Sequence, residues 1–328
     1  MSKISLIIAV YNAEEFLREC LDSVVNQTLK DIEIICVDDG SVDKSAQILE
    51  EYAKKDTRIK IITQKNSGLS MARNNAMKIT KGQYIQFLDA DDWINNNTCE
   101  ILYNLANDNN LDMLQYSGVN FFNENYIEQE SKYWNFLYLP PKFRYKSFTL
   151  KDAYPFMHKM AVSSCLTIYK RKMIDDNKLE FPPHLCYEDN LFFIKSLFSA
   201  KKIGITKEKL YHRRLHSAQI TQNYDKHYLD YIKITDLVLS FLKEQNISYI
   251  LYNKYKKGYL KSCISIYDNF NTLLQNKYKE EYYTLLKKYK YNPKYRMLKQ
   301  IFSIENNHSK THKIITILGI KIKLKRRK

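Results

Sequence analysis

Tyr84-Ile-Gln-Phe-Leu-Asp-Ala-Asp-Asp92 is a short apolar run that passes directly into three carboxylates. An apolar run of this length is typical of a strand that is buried on both faces. Three similar runs precede it, at Ile4–Val10, Ile32–Val37 and Arg58–Thr63. Between the runs, apolar residues recur at helical spacing, as they do from Phe16 to Val25. Alternating strands and helices of this kind predict an α/β fold with a mostly parallel sheet.

Further elements follow from the same patterns. Asn12 is predicted to cap the first helix, with Glu15 three residues later in a capping box. A strand is expected near Asp112–Phe122, and helices are expected beyond residue 225. The remaining helices are expected over Lys44–Lys55, Ser70–Ile79, Thr98–Asn107, Leu150–Met160 and Asp189–Ala200.

Charge is distributed unevenly along the 328 residues. Residues 1–112 contain 12 Lys and Arg against 18 Asp and Glu, which gives a net charge of −6. Since the whole chain carries +16, residues 113–328 carry +22. The basic part either meets an anionic partner, such as a membrane surface, or reflects a Lys-rich composition. The tail from Gly319 to Lys328 alternates Ile and Leu with Lys and favours a membrane surface. No nucleic-acid motif accompanies the charge, so a nucleic-acid partner is not expected.

Composition narrows the class of protein. Hydrophobic residues make up 45% of the chain, which excludes a disordered protein. The six cysteines are scattered without a C-x-x-C pair, and this pattern predicts free thiols in a reducing compartment. The sequence shows no recognisable signal peptide and no apolar stretch long enough to cross a membrane. We therefore expect a cytoplasmic protein that lies on the inner face of the cytoplasmic membrane.

Asp89, Asp91 and Asp92 are close enough in sequence to repel one another unless a cation lies among them. Mg²⁺ and Mn²⁺ accept carboxylate oxygens and leave positions for water and for substrate phosphates. The cluster therefore predicts a metal-assisted phosphate site. A solvated acidic turn that caps a helix after Trp93 is the alternative interpretation.

Two more polar clusters follow predicted strands or open a predicted helix. Asp38-Asp39-Gly40-Ser41 either offers a carboxylate to the N–H of a uracil ring or caps a helix. The segment Gly68–Asn74 opens a helix, whose dipole and Arg73 suit an anion, with a surface salt bridge as the alternative for Arg73. Since ligands of open parallel sheets bind at the carboxyl ends of the strands, these clusters and Asn12 are expected in one site.

Five blocks of residues 3–95 together resemble glycosyltransferase family 2 in their order and spacing. The blocks are Ser5-Leu-Ile-Ile-Ala-Val-Tyr-Asn12, Gln27-Thr28, Ile34–Ser41, Asn66–Asn74 and Phe87–Asp92. The resemblance implies a GT-A-type, Rossmann-like fold, a UDP-sugar donor, a Mn²⁺ or Mg²⁺ ion and inversion at the anomeric carbon.

The resemblance also implies roles for individual residues, carried over by position. Ala9, Tyr11 and Asp39 would hold the uracil, Asp89 would approach the ribose and Asp91 would ligate the metal. Arg73 would lie near the nucleotide. The remaining positions assigned to the donor site are Asn12, Asp38 and Ala90.

Two later segments are similar to family motifs as well. Glu188-Asp189 resembles an acidic pair at the start of a helix below the acceptor, and it implies Asp189 as general base with Glu188 beside it. Capping of the following helix is the alternative for this pair. Tyr211–Ser217 resembles the segment that follows the base. Either His212 or His216 would then supply a metal ligand, with His216 preferred, and Arg213 or Arg214 would meet the diphosphate.

The predicted organisation is a GT-A catalytic domain over residues 1–220, followed by a helical, basic region over residues 221–328 with a tail at the membrane surface. Within the catalytic domain, residues 1–115 would bind the nucleotide-sugar and residues 116–220 the acceptor. The implied reaction moves a hexose or N-acetylhexosamine to a lipid-linked, lipooligosaccharide or capsule-type glycan. A catalytically silent nucleotide-sugar or membrane-surface binding module is the alternative. A dinucleotide-dependent oxidoreductase is excluded, because no G-x-G-x-x-G follows the first strand.

Overall fold

A computed structural model describes residues 2–122, 127–130, 140, 143, 146–216, 224–292, 302–306, 312–317 and 320–325. The chain forms two compact units, Met1–Tyr255 and Lys256–Lys328. The functional boundary expected at residue 220 stays a prediction, and the change of compact unit comes later, after Tyr255.

The first four strands form the parallel part of a large sheet, in the order β3-β2-β1-β4. These strands are β1 (Ile4–Val10), β2 (Ile32–Asp38), β3 (Ile59–Thr63) and β4 (Tyr84–Asp89). Their connecting helices are α1 (Leu17–Val25), α2 (Ser45–Lys55) and α3 (Leu69–Met77). Every residue of β2 is buried, as expected for a strand covered on both faces. The predicted parallel α/β core is confirmed.

The sheet continues past β4 with mainly antiparallel pairings, in the order β4-β8-β6-β9-β5, and β7 pairs with β6. The β6–β9 pair is parallel. The strands are β5 (Trp93–Ile94), β6 (Met113–Phe122), β7 (Ile127–Glu130), β8 (Thr167–Lys170) and β9 (Ile203–Leu215). The helices of this half are α4 (Thr98–Asp108), α5 (Leu150–Ala153), α6 (Arg171–Asp176) and α7 (Asp189–Ser199). The helix predicted over Leu150–Met160 is wrong in length, since only α5 and a 3₁₀ turn at Met157–Lys159 form.

The C-terminal region begins with helices and continues with strands. The helices are α8 (Tyr224–Glu244), α9 (Tyr249–Asp268), α10 (Thr272–Lys277) and α11 (Lys279–Lys288). An antiparallel three-stranded sheet then forms from β10 (Phe302–Asn306), β11 (His312–Ile317) and β12 (Ile320–Lys325). The helical prediction is therefore confirmed up to Lys288 and wrong for these three strands. Among the described helices, none combines the length and the apolarity needed to cross a bilayer.

Strand register brings the polar clusters together at one edge of the sheet. Val10 is level with Asp38 of β2, and Ala9 is level with Asp89 of β4. The segments that follow these three strands therefore meet above the same edge, as expected for parallel strands. Gly40 lies there with a φ of +75°, and a Cβ on it would lie 2.9 Å from the backbone nitrogen of Asn66. Only glycine fits this close approach without strain.

The expected capping box at the first helix is wrong. Helix α1 begins at Leu17, and the residue before it, Phe16, makes no side-chain cap. Asn12 instead adopts a left-handed conformation with a φ of 48°, which asparagine tolerates better than most residues. Its Oδ1 accepts a hydrogen bond from the Val42 N–H at 2.9 Å, so Asn12 joins the β1 end to the segment after β2.

Candidate active site

A single cleft of about 1830 Å³ collects the candidate residues. It is lined by the ends of β1, β4 and β9, by the segment after β2 and by the starts of α3 and α7. Of the residues assigned to the site from sequence, eleven line it: Ala9, Tyr11, Asn12, Asp39, Arg73, Asp89, Ala90, Asp91, Glu188, Asp189 and His216. The structure therefore brings together positions that are up to 207 residues apart, from Ala9 to His216.

Asp38 is the assigned residue that the structure leaves out of the cleft lining. Its Oδ1 accepts a hydrogen bond from the Ser41 N–H at 3.0 Å, which closes the turn after β2. The side chain is buried. Asp38 therefore stabilises the turn that presents Asp39, and its assignment to donor binding stays a prediction.

Asp39 holds the loop that precedes α3. Its Oδ1 accepts hydrogen bonds from the Ser67 N–H at 2.8 Å and the Gln64 side-chain amide at 2.7 Å, and its Oδ2 accepts one from the Gly68 N–H at 2.8 Å. A carboxylate oxygen can accept two hydrogen bonds, so Oδ2 retains capacity toward the cleft. Tyr11 lies at the same end of the cleft with its side chain 52% exposed. An exposed ring beside a carboxylate acceptor suits a heterocyclic base.

Asp89, Asp91 and Asp92 each place a carboxylate oxygen within 4.8 Å of the other two. Asp92 is nevertheless buried and committed to β9: its Oδ2 accepts the Tyr211 hydroxyl at 2.5 Å, and its Oδ1 accepts the Arg214 N–H at 2.8 Å. Burial, together with the Asp91 and Asp89 carboxylates, raises the pKa of Asp92 well above its usual range. The expectation that Asp92 caps a helix is wrong, because the strand β5 follows it.

Asp89 belongs to a chain of charges that is centred on Arg73. The Arg73 guanidinium donates to Asp89 Oδ1 at 2.7 Å and to Glu188 Oε1 at 2.6 Å. Arg73 is only 4% exposed and packs its guanidinium over the Phe87 and Phe181 rings. The surface salt bridge expected as the alternative is corrected to a buried ion pair with two carboxylates, and the position of Arg73 near a nucleotide stays a prediction. Arg73 lines the cleft, and its contacts join Asp89 at the end of β4 to Glu188 at the start of α7.

Asp91 and His216 form the pair that best fits a metal ion. Their Oδ2 and Nε2 atoms are 2.9 Å apart, and both side chains are partly exposed to the cleft. Two ligands of one ion, each about 2.0–2.2 Å from it, lie at about this separation. The Phe16 ring packs against the His216 imidazole with centroids 4.7 Å apart. A carboxylate suits Mg²⁺ and Mn²⁺, and imidazole is a common ligand of divalent transition metals, so the residues present fit a divalent ion.

The other residues of the Tyr211–Ser217 segment take different places. His212 points to Asn95 Oδ1 at 2.5 Å and stacks on Trp93, so it lies away from Asp91. Arg214 pairs with Glu19 and with the Asp91 carbonyl, and it is buried against Trp93. Arg213 lines the cleft and Arg214 does not. Ser217 is outside the described residues.

Glu188 and Asp189 stand where α7 begins. No side-chain cap is formed by Glu188, so the capping alternative is not what the structure shows. Glu188 is buried beside Arg73, whereas Asp189 is partly exposed and lines the cleft. Burial, reinforced by the Glu188 and Asp89 charges, raises the pKa of Asp189 to about 7. A carboxylate with this pKa is suited to accept a proton near neutral pH.

Some contributors to the site carry no signal in the sequence. Glu19 neutralises Arg214 across 195 positions, and the sequence gives no reason to pair them. The sequence marks Asn74 only as the last residue of the Gly68–Asn74 segment. Its side-chain amide donates to the Phe181 carbonyl and accepts from the Phe181 N–H, both at 2.9 Å. It thereby holds the chain that leads to Glu188.

Comparison with known proteins identifies the family of the chain. Residues 5–177 match the family described as "Glycosyl transferase family 2". The "Uncharacterized glycosyltransferase EpsJ" of Bacillus subtilis (strain 168) is 33% identical over 67% of this chain and 63% of its own length. The "Poly(ribitol-phosphate) beta-glucosyltransferase" of Bacillus spizizenii is 35% identical over 64% of this chain, which spans only 32% of that larger protein.

A solved structure supplies the likeness in fold. The S. aureus TarS fragment crystallised in complex with UDP-GlcNAc superposes with a TM-score of 0.60 at 18% identity. The alignment covers 99% of this chain and 100% of that fragment. Since the family match spans more than half of the chain, and named relatives share the activity class, the chain belongs to glycosyltransferase family 2 and is a glycosyltransferase.

Proposed function

We propose that the protein transfers a hexose or N-acetylhexosamine from a UDP-sugar to a hydroxyl of a surface glycan, with inversion at the anomeric carbon. Asp189 acts as the general base, and Asp91 with His216 holds a Mn²⁺ or Mg²⁺ ion. The observation that carries the proposal is the pairing of Arg73 with both Asp89 and Glu188. This pairing fixes the donor-side acids and the base-bearing end of α7 in one cleft.

The donor would bind along the ends of β1, β2 and β4. Tyr11 offers an exposed ring to the uracil, and Asp39 Oδ2 offers an acceptor to its N–H. Arg213, a cationic residue of the cleft lining, would meet the diphosphate. The TarS fragment was crystallised with UDP-GlcNAc, and this supports a UDP-sugar as the donor class.

The chemical step follows from the placement of Asp189. The acceptor hydroxyl oxygen attacks the anomeric carbon, the bond from that carbon to the donor phosphate oxygen breaks, and Asp189 takes the hydroxyl proton. Attack opposite the departing UDP inverts the configuration. A divalent ion held by Asp91 and His216 supplies neutralisation of the charge on the leaving diphosphate. Glu188 and Arg73 keep Asp189 in place and do not touch the proton.

The acceptor would be a lipid-linked, lipooligosaccharide or capsule-type glycan, met at the cytoplasmic face of the membrane. The relative named for poly(ribitol-phosphate) supports a surface polymer as acceptor class. The charge of +22 on residues 113–328 supports an anionic membrane surface as the place of action.

Release of UDP tests the proposal. The full chain, a panel of UDP-sugars, Mn²⁺ and acceptor glycans are combined, and UDP is quantified with and without acceptor. We expect acceptor-dependent release that falls by about 10²–10⁴-fold or more in Asp189→Asn, because the proton acceptor is lost. Asp176→Asn is the matched control, since this exposed acid pairs only with Lys172 on the α6 surface among its described contacts. A silent binding module would bind UDP without acceptor-dependent release, and full activity in Asp189→Asn would remove this residue from the role of base.

A further inference from the structure

A second cluster of metal-ligating side chains lies beside the base-bearing helix. Cys186 Sγ and His227 Nδ1 are 3.1 Å apart, and His227 Nδ1 is 4.0 Å from Asp230 Oδ2. The three ligand atoms all lie within 4.8 Å of one another. Each of the three side chains is partly exposed, so an ion could reach them from solvent.

Local structure explains how the three side chains meet. His227 and Asp230 are three residues apart on α8, a spacing that puts both on one helix face. The Cys186 N–H donates to Asp230 Oδ2 at 3.3 Å, and the Tyr187 ring packs edge-on against Tyr231 at 5.1 Å. These contacts hold the segment before α7 against the first turns of α8.

The backbone on both sides of the cysteine is in a costly conformation. His184 and Tyr187 have φ angles of 56° and 63°, in the left-handed region that residues with side chains seldom adopt. Such strain persists only where the surroundings enforce it, and it is concentrated at functional sites. Cys186 lies between these two residues, and its Sγ contacts His227 of α8.

We propose that Cys186, His227 and Asp230 form a zinc site with three protein ligands. Thiolate, imidazole and carboxylate are the ligands that Zn²⁺ takes in proteins. Tetrahedral Zn²⁺, with bonds of about 2.3 Å to sulfur and about 2.0–2.1 Å to nitrogen, separates these two ligand atoms by about 3.5 Å. The observed sulfur–nitrogen distance of 3.1 Å is about 0.4 Å shorter than this spacing. The 4.0 Å between His227 Nδ1 and Asp230 Oδ2 is about 0.6 Å longer than the separation of a nitrogen and an oxygen ligand on tetrahedral Zn²⁺, so small side-chain rotations complete the site. The combination also differs from the Asp91–His216 pair, which lacks sulfur and suits harder ions.

The position of the site gives it a role on the acceptor side. Cys186 and His227 both line the cleft, and Cys186 is three residues before Asp189. With three protein ligands, a fourth coordination position remains for water or for an oxygen of a bound molecule. Zinc there would fix the segment that ends in Glu188-Asp189. This inference goes beyond the proposed transfer reaction and stands independently of it, because its test measures metal and not product.

Cysteine exposure makes the site measurable. All six cysteines are free thiols, five are buried, and Cys186 alone is partly exposed. Since a zinc-bound thiol is deprotonated, binding should release a proton and tighten as pH rises.

Cobalt substitution and zinc titration test the proposal. The full chain is loaded with one equivalent of Co²⁺, and we expect a sulfur-to-cobalt charge-transfer band that is abolished in Cys186→Ser. Zinc affinity, measured by competition with a chromophoric chelator, should fall at least about tenfold in His227→Ala, as expected when a ligand is lost. Zn²⁺ should also slow alkylation of Cys186, followed by peptide mass spectrometry.

Matched controls separate this site from other sources of binding. His184→Ala removes an exposed cleft histidine only two residues before Cys186 and should leave zinc affinity unchanged. Asp91→Asn should likewise keep the cobalt band, because it alters the other candidate metal site. Circular dichroism and thermal melting establish that each variant is folded. Equal zinc affinity in the wild type and the Cys186→Ser and His227→Ala variants, or a wild type without a sulfur-to-cobalt band, would overturn the proposal.

Discussion

Arg73 is the side chain on which both acid clusters depend. It is 4% exposed and its two partners lie on different elements, Asp89 at the end of β4 and Glu188 at the start of α7. A buried charge is tolerated when it is paired, whereas removing one partner leaves the other charge buried and uncompensated. The geometry of the site and the stability of the fold therefore rest on the same guanidinium.

Replacing Arg73 should be costly for stability. We expect Arg73→Met to lower the free energy of unfolding by about 3–5 kcal/mol, because the buried Glu188 carboxylate loses its partner. The double variant Arg73→Met/Glu188→Gln should lose less, since no buried charge is left over. Urea denaturation measures both. Arg18→Met, which breaks an exposed pair with Glu51, should change little, and an equally small effect at Arg73 would show that the buried pair is not needed.

Asp189 should set the pH dependence of transfer. Burial and the nearby Glu188 and Asp89 charges raise its pKa to about 7, and only the ionised carboxylate can accept the acceptor proton. Below pH 7 the ionised fraction falls as pH falls, so kcat/KM should drop about tenfold per pH unit on the acid side. Initial rates of UDP release between pH 5 and pH 8.5 check this. An acid limb centred near the ordinary aspartate value of 3.8 would contradict the assignment.

At the scale of elements, the strands of the sheet core can be predicted from the sequence because strands buried on both faces consist mostly of apolar residues. β1, β2 and β4 consist mostly of buried apolar residues, and the predicted limits differ from the observed ones by no more than one residue. The Ile–Lys alternation at Ile320–Lys325 also has the period of a strand, but the helical interpretation of the whole C-terminal region outweighed it.

The candidate site could be predicted only in part. Asp91 and Asp189 were assigned from short motifs, and the structure places them in one cleft. The pairing of Arg73 with Glu188 crosses 115 positions and leaves no periodicity in the sequence. Asn12 was misassigned because the residue types that cap helices also tolerate the left-handed conformation it adopts. Long-range pairing and backbone conformation are decided by the tertiary fold, which local patterns do not contain.

Two glycines give a test of this element-level description. Gly40 has a φ of +75° and no room for a Cβ beside Asn66, whereas a Cβ on Gly258, in the middle of α9, would have no atom within 4 Å. Gly40→Ala should destabilise the fold by about 1–3 kcal/mol through backbone strain and should weaken UDP binding by shifting the loop held by Asp39. Gly258→Ala should stabilise the chain by about 0.5–1 kcal/mol. Thermal and urea denaturation of the two variants measures both changes in stability. A Gly40→Ala variant that is as stable as the wild type and binds UDP normally would contradict this account of the turn.

At the scale of the whole molecule, an acidic N-terminal third is followed by a strongly basic remainder. Residues 1–112 carry −6 and residues 113–328 carry +22. A charge of this sign favours an anionic surface, whereas the described helices are not able to cross a bilayer. For the membrane contact proposed above, electrostatic adsorption is the mode that is consistent with both findings.

Vesicle binding tests this adsorption. The full chain should co-sediment with phosphatidylglycerol vesicles at low salt and dissociate from them as salt is raised. It should not bind phosphatidylcholine vesicles. Replacing Arg326, Arg327 and Lys328 by Ala should weaken binding by up to about 1 kcal/mol per lost charge. These three residues lie outside the described part of the chain. Equal binding to both lipids would show that the charge reflects composition alone.

The central claim is that Asp91 and His216 hold a divalent ion for a UDP-sugar while Asp189 acts separately on the acceptor. Calorimetric titration of UDP into the full chain, with Mn²⁺ and then with EDTA, tests it most directly. We predict Mn²⁺-dependent binding in the wild type and in Asp189→Asn, and a loss of at least about tenfold in Asp91→Asn and in His216→Ala. UDP binding that is unchanged by EDTA, or equally tight in Asp91→Asn, would contradict the account.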